Sequence, residues 1–545
     1  MSKELLSGNE AIARGAYEAG CSVGTGYPGT PSTEIIENLA KYEAINTEWS
    51  VNEKVALEVG LGAAWAGART LVTMKHVGVN VAADPLFTSS YTGIKGGLVI
   101  VTADDPDMHS SQNEQDNRYY AKSAKIPMLE PANSMEAKEF TKLAFQISEK
   151  YDTPVFLRIT TRLAHSYSIV ETAERATTEV TGFDRDRSKY VMIPAFARKR
   201  HVIVEERQAK LVKASNEFDI NHIENSGTAD IGIITAGIPY NYVKEVCPDA
   251  AILKLGMVFP LPEKLLQEFC DSVKEVWVVE ELEPFFEDKL KAMGIKVHGK
   301  DRLPILGEYS PNLLDTVINK QATPKAVDLQ LELPPRPPQL CQGCPHCNVY
   351  EVLSKMNLTV TGDIGCYTLG VLPPYSAMDT CLDMGASITV AQGMEMALGP
   401  DAAKGVVSVT GDSTFAHSGI TGLVNAAYNK RHGLMIILDN ATTAMTGMQP
   451  NPLTGENIYR EETVTLDYRK LGEACGLKPE NIKIVDAYKK AEVEQAIIDL
   501  HATGELALLV VYGLCIIERH QLQKIDKLES KLAIRKARLD VNIQS

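Results

Sequence analysis

The sequence has no apolar run long enough to cross a bilayer. The longest, LALLVVYGLCII from Leu506 to Ile517, falls well short of the roughly 20 residues a spanning helix needs. It opens MSKELLSGNE, which is charged and lacks the apolar core of a secretory signal. Positive charge is in deficit too: 55 Lys and Arg against 70 Asp and Glu leave a formal net charge of −15. That balance argues against nucleic acid or an anionic membrane as partner. There is no repeat array and no low-complexity tract. These absences point to the cytoplasm, a reducing compartment where ten cysteines are not expected to form structural disulfides. Clustered cysteines then suggest metal or redox work.

What is present is an ordinary soluble composition, 44% apolar and 23% charged. At 545 residues the chain exceeds one hydrophobic core, so three or so domains are expected. Residues 1–165 alternate helical stretches (GNEAIARGAYEAG, NEKVALEVGLGAAWAGA) with strands (TLVTMK, GGLVIVTADD, TPVFLRIT), the order of a parallel sheet covered by helices. Residues 166–226 are polar and weakly patterned and read as a linker or arm. A shorter α/β unit, 227–330, carries ADIGIITAGIPY, AAILKLG and KEVWVVEEL. It closes at the proline-rich LELPPRPPQL, Leu331 to Leu340, which can continue neither helix nor sheet. A third α/β unit spans 331–520. In the basic tail, 521–545, Ile525, Leu528, Leu532 and Leu539 fall on one helical stripe.

Two strands of the third unit stop abruptly at polar residues. VVSVTGDS ends at Asp412 and LMIILDNATT ends at Asn440, 28 positions on. Open α/β sheets bind ligands beyond the carboxyl ends of their strands. A carboxylate (Asp412), an amide carbonyl (Asn440) and a backbone carbonyl (Thr442) are the hard oxygen donors that suit Mg²⁺ together with phosphate oxygens. Gly411, Gly419 and Gly422 would let backbone approach a phosphate, and a following helix N-terminus would favour its charge. A plain sheet edge explains Gly-Asp-Ser alone; the pair on consecutive strands is harder to explain that way.

Gly-Asp-Ser followed by Asp-Asn resembles the diphosphate–metal motif of thiamine-diphosphate enzymes. YPGTPSTE, NEKVALEVGLGAAWAGARTLVTMKHVGVNVAADP, DDPDMHSSQNEQDNR, CQGCPHC and DNATTAMTGMQPNP resemble, more specifically, the large (alpha) subunit of indolepyruvate ferredoxin oxidoreductases, over roughly residues 5–520. The resemblance implies an α/β fold of three domains: pyrimidine-binding (1–165), transketolase-C-terminal-like (227–330) and diphosphate-binding (331–520). It implies that Asp412, Asn440 and Thr442 clamp Mg²⁺ onto thiamine diphosphate, with Gly365, Gly385, Gly411 and Ser413 lining the same pocket.

Thiamine chemistry needs a carboxyl group against the pyrimidine ring, and the cofactor supplies the rest. Glu53 and Glu58, on one helix, are the candidates. Glu53 is preferred, being where loop meets helix, although a first-turn glutamate also suits the helix dipole. The resemblance makes YPGTPST the substrate loop, with Thr30 contacting the 2-oxo acid; a capping role for Thr30 is the alternative. It also implies one 4Fe-4S cluster on Cys341, Cys344, Cys366 (read as ending the GDIGC strand) and Cys515, with Cys347 spare. Zinc or free thiols remain rivals. The family's usual C-terminal ferredoxin-like cysteine runs are missing, so electrons would leave from that single cluster or through another subunit.

The implied activity is oxidative decarboxylation of an aryl 2-oxo acid to acyl-CoA and CO₂, with electrons passing to ferredoxin. A smaller beta subunit would complete a heterotetramer. A non-oxidative decarboxylase and a catalytically silent partner-binding homologue are the alternatives.

Overall fold

The computed structural model describes residues 2–225, 230–322, 334, 336–525 and 527–539. The chain divides into two compact units, Met1–Gln330 and Leu331–Ser545. Part of the proline-rich stretch expected as a boundary, residues 331–333 and 335, lies outside the described residues.

The first unit holds a seven-stranded sheet. Its order across the sheet is Met257–Phe259, Met128–Leu129, Val155–Thr160, Leu98–Asp104, Thr70–Lys75, Val23–Gly26 and Asn46–Trp49. Every pairing is parallel except that of Met257–Phe259. Leu98–Asp104 and Val155–Thr160 are buried along their whole length, as strands covered on both faces must be. A second, four-stranded sheet runs Glu275–Val279, Ile231–Ala236, Ala251–Leu255, His222–Glu224. It is of the α/β type expected for 227–330; Ile233, Ile252, Trp277 and Val279 pack one face chiefly on its own segment, and the other face is shared. Ile234, Leu253, Val278 and Phe269 pack in one cluster with Val72, Ile100, Ala121 and Phe156 of the first sheet. The strand Met257–Phe259 leaves the smaller sheet's segment to extend the larger one. This sharing is why three sequence segments become two compact units.

The stretch 166–226 departs from the expected linker. Tyr167–Thr172 pairs antiparallel with Ser2–Ser7, and Pro194–Ser215 is a 22-residue helix. Its buried stripe is Arg200, Val204, Arg207, Leu211 and Ser215. The two arginines donate to the backbone carbonyls of Tyr91, Ser90 and Asp152, so charged residues occupy what is geometrically an apolar face.

The second unit is a six-stranded, all-parallel sheet in the order Thr380–Cys381, Thr359–Gly362, Val406–Gly411, Gly433–Asp439, Leu506–Tyr512, Ile482–Asp486. Alternate side chains fill two cores. Val407, Val409, Ile436, Leu438, Leu509 and Val511 face one side, and Met435, Ile437, Leu508 and Val510 the other. The terminal helix Leu528–Leu539 buries Leu528, Leu532 and Leu539 in the second of these. Ile525 does not join them: it stands beyond the end of the preceding helix, Ile516–Lys524, and is exposed.

Candidate active site

The central strands Val406–Gly411 and Gly433–Asp439 are neighbours in register, Gly411 opposite Leu438, so Asp412 and Asn440 emerge side by side at their carboxyl ends. Both are buried, as is Thr442. Asn440 Oδ1 accepts the Thr442 N–H at 3.1 Å, and Asn451 Nδ2 donates to Asp412 Oδ2 at 3.1 Å. The Thr442 carbonyl accepts no hydrogen bond among the described residues. A buried carboxylate, an amide and an unengaged carbonyl form an oxygen donor set that fits a hard divalent cation carrying phosphate oxygens. Ser413 Oγ accepts from the Thr443 hydroxyl at 3.0 Å, tying the two strand ends together. Helix begins at Asp412 and continues through a π-helical turn, Phe415–Gly419, to Tyr428. Such turns recur at functional sites.

The glycines have specific neighbours. A Cβ at Gly365 would lie 2.3 Å from Tyr367 Cε1, and one at Gly411 2.6 Å from the same atom. Tyr367 donates to Asp363 Oδ1, while Ser387 Oγ donates to Asp363 Oδ2 at 2.7 Å. Asp363 therefore ties the Gly365 turn to the helix Ala386–Leu398, whose N-cap is Gly385 at φ 87°. Burial raises its carboxyl to about 6. Gly419 and Gly422 lie within the helical run, where added Cβ atoms would meet Phe415 and Ile388.

Besides Asp363, two contributors escaped the sequence reading. Asn451 lies in the quoted motif but meets Asp412 only because its loop folds back. His346, inside CQGCPHC, is buried, with its pKa lowered by burial to about 4. As a neutral ring it accepts from Asn440 Nδ2 at 3.4 Å, which leaves Oδ1 as the outward oxygen. The cysteine spacing drew attention away from the histidine between the cysteines.

Cys366 does not end a strand. The strand stops at Gly362, and Cys366 opens the 3₁₀ turn Cys366–Val371, because Asp363 redirects the chain. Burial pushes the Cys366 thiol up to about 11, with Cys515 and Cys341 adding to the effect; Cys515 is likewise raised by burial. These three sense one another across separate turns. Cys344 pairs with Cys347, a contact that raises Cys344 and draws Cys347 down to about 6, and Cys341 adds to the rise of Cys344. Both line a cavity of about 480 Å³ with Tyr375 and Glu351. Among the described residues no group of three His, Cys, Asp or Glu side chains is arranged to hold a metal ion. Cys341 is the common neighbour, acting on Cys344, Cys366 and Cys515 alike.

In the first unit, Asn52 caps the helix Glu53–Trp65 by accepting the Val55 N–H at 2.9 Å, which sets Glu53 at the first helical position. Glu53 is buried, packed so closely on Gly78 that a Cβ there would stand 2.7 Å from Oε1. Glu58 is half exposed and paired with Lys54. Of the two candidates only Glu53 is shielded from water. Thr30 follows the strand Val23–Gly26 in a loop held by Asn9, whose Nδ2 donates to the Pro31 carbonyl at 2.7 Å. The Thr30 carbonyl accepts from Ser110 Oγ at 3.3 Å, and its hydroxyl has no partner among the described residues.

Residues 14–229 match the family described as pyruvate flavodoxin/ferredoxin oxidoreductase, thiamine diphosphate-binding, and residues 363–511 the C-terminal TPP-binding domain of thiamine pyrophosphate enzymes. Fold and site thus define a protein with two thiamine-diphosphate-binding modules. Indolepyruvate oxidoreductase subunit IorA of Archaeoglobus fulgidus is 42% identical over 528 residues, 90% of this chain and 84% of that relative. The subunit of the same name from Thermococcus kodakarensis is 44% identical over 499 residues, 84% of this chain and 77% of that one. The chain belongs to the indolepyruvate oxidoreductase subunit IorA family. A 2-oxoglutarate:ferredoxin oxidoreductase from Magnetococcus marinus shares the fold at a TM-score of 0.50 and 17% identity, over 58% of this chain and 65% of that one.

Proposed function

We propose that the chain is the thiamine-diphosphate-dependent catalytic subunit of an aryl 2-oxo acid oxidoreductase. It decarboxylates indolepyruvate-like acids, passes two electrons to ferredoxin or a similar carrier and delivers the acyl group to coenzyme A. A smaller subunit completes the enzyme, as the naming of its relatives implies. The observation that carries this reading is the side-by-side emergence of Asp412 and Asn440 at buried, paired strand ends. Bound thiamine diphosphate supplies a nucleophilic carbon and an electron sink for the departing CO₂. Asp412, Asn440 and the Thr442 carbonyl hold Mg²⁺, and Gly365, Gly385, Gly411 and Ser413 shape the diphosphate pocket. Glu53 places its buried carboxyl for the aminopyrimidine, and Thr30 hydrogen-bonds the 2-oxo acid. Cys341, Cys344, Cys366 and Cys515 are the proposed ligands of one 4Fe-4S cluster, supported by the electrostatic influence of Cys341 on the other three.

Anaerobic purification with the smaller subunit tests this. The expected result is bound thiamine diphosphate, about four irons per chain and viologen reduction that requires both indolepyruvate and coenzyme A. Aldehyde release without dye reduction would favour a non-oxidative decarboxylase.

A further inference from the structure

Lys75 ends the strand Thr70–Lys75 in the middle of the first sheet, between the strand that leads to the Thr30 loop and the strand that ends at Asp104. Its methylenes lie along the Gly29 backbone, where a Cβ would stand 3.3 Å from Lys75 Cβ. Among the described residues its ammonium makes one hydrogen bond, to the Ser110 carbonyl at 2.7 Å, and no ion pair. The hydroxyl of that same Ser110 lies 3.3 Å from both the Thr30 carbonyl and Asp105 Oδ2 and can donate to either. Lys75, Ser110 and Thr30 thus form one continuous wall.

The nearby carboxylates do not use up the lysine. Asp105 is engaged by the Ser110 N–H at 2.8 Å, Ser111 Oγ at 2.6 Å and Thr161 Oγ1 at 2.6 Å. Glu53 is close enough for its charge to act on Lys75 but makes no ion pair with it. Burial lowers the Lys75 pKa to about 8, against the opposing pull of Asp105 and Glu53. A partly buried cation whose one hydrogen bond goes to a neutral carbonyl is costly to keep, and an anion from outside would offset that cost.

We propose that the Lys75 ammonium receives the carboxylate of the 2-oxo acid, beside the free hydroxyl of Thr30. The assignment rests on the function proposed above and adds the residue that selects for an acid. Its two N–H groups not given to Ser110 match the two carboxylate oxygens. Loss of the carboxylate as neutral CO₂ would remove the charge the ammonium holds, so the grip would relax with it.

Lys75→Met keeps the stem and removes the charge. In the holoenzyme, the KM for indolepyruvate and the calorimetric Kd for indole-3-lactate, an unreactive 2-hydroxy acid, should each rise roughly 10- to 100-fold, the value of a charge-assisted hydrogen bond. Thiamine diphosphate affinity should stay within about twofold, because the lysine touches substrate rather than cofactor. Lys75→Arg should recover part of the lost affinity, which a purely structural role would not give. Unchanged indole-3-lactate binding by Lys75→Met, in an enzyme whose wild type is active, overturns the lysine's role alone. A wild type that binds thiamine diphosphate yet neither consumes indolepyruvate nor binds indole-3-lactate contradicts the proposed function, and the lysine's role falls with it.

Discussion

Glu53 and Glu58 show how one turn of helix separates two glutamates into different chemistries. Glu53 is fixed by the Asn52 cap and walled in by Gly78, whereas Glu58 spends its charge on Lys54 in solvent. Glu53→Gln should therefore keep thiamine diphosphate binding and lower kcat roughly 100-fold or more, the scale of a lost general acid–base group. Steady-state kinetics beside calorimetry separate the two effects, and near-wild-type turnover would move the role elsewhere. At this scale the sequence disclosed residues that interrupt an apolar strand, Asp412 and Asn440, because polarity there has no packing reason. It did not disclose Asn451, Asp363 or His346. Their roles depend on contacts made across turns, and no local pattern marks them.

Among the elements, parallel strands and their covering helices were legible because burial on both faces writes continuous apolar runs. The helix Pro194–Ser215 was not, since Arg200 and Arg207 stand in its buried stripe and erase the apolar period. The turn at Gly385 was legible as glycine but not as geometry. Its φ of 87° and the 2.9 Å approach to Ser418 Cβ together exclude a side chain. Gly385→Ala should cost roughly 1–3 kcal/mol, the scale of a strained left-handed residue. It should also weaken thiamine diphosphate binding, because the turn carries Ser387 to Asp363. Thermal melting with and without cofactor measures both losses, and an unchanged melting temperature would remove the constraint assigned to this turn.

For the molecule as a whole, sequence segmentation marked three α/β stretches but not their grouping, since a shared core is a property of packing rather than of composition. In the first unit buried ion pairs also link Arg118 to the end of the smaller sheet and tie strands of the larger one together. Arg118 bonds Asp116 and, at 2.6 Å, Glu280; Arg158 bonds Asp104 and Glu130, each at 2.7 Å. Arg118→Met would leave Glu280 without its cation and Asp116 with only Arg158, at 4.0 Å. It should destabilise the unit by about 3–5 kcal/mol, as removal of one member of a buried pair does. Urea unfolding of the full chain checks this, and a loss below about 1 kcal/mol, the worth of a surface pair, would contradict it.

The most direct measurement on the central claim is a calorimetric titration of thiamine diphosphate into the wild type and Asp412→Ala, with Mg²⁺ and after chelation. The expected result is Mg²⁺-dependent binding by the wild type that falls at least about 30-fold in Asp412→Ala, the cost of truncating one partner of a buried charge contact. Equal affinity in the two proteins, or wild-type binding indifferent to chelation, would contradict the assignment of Asp412 and Asn440 to a metal-bridged diphosphate.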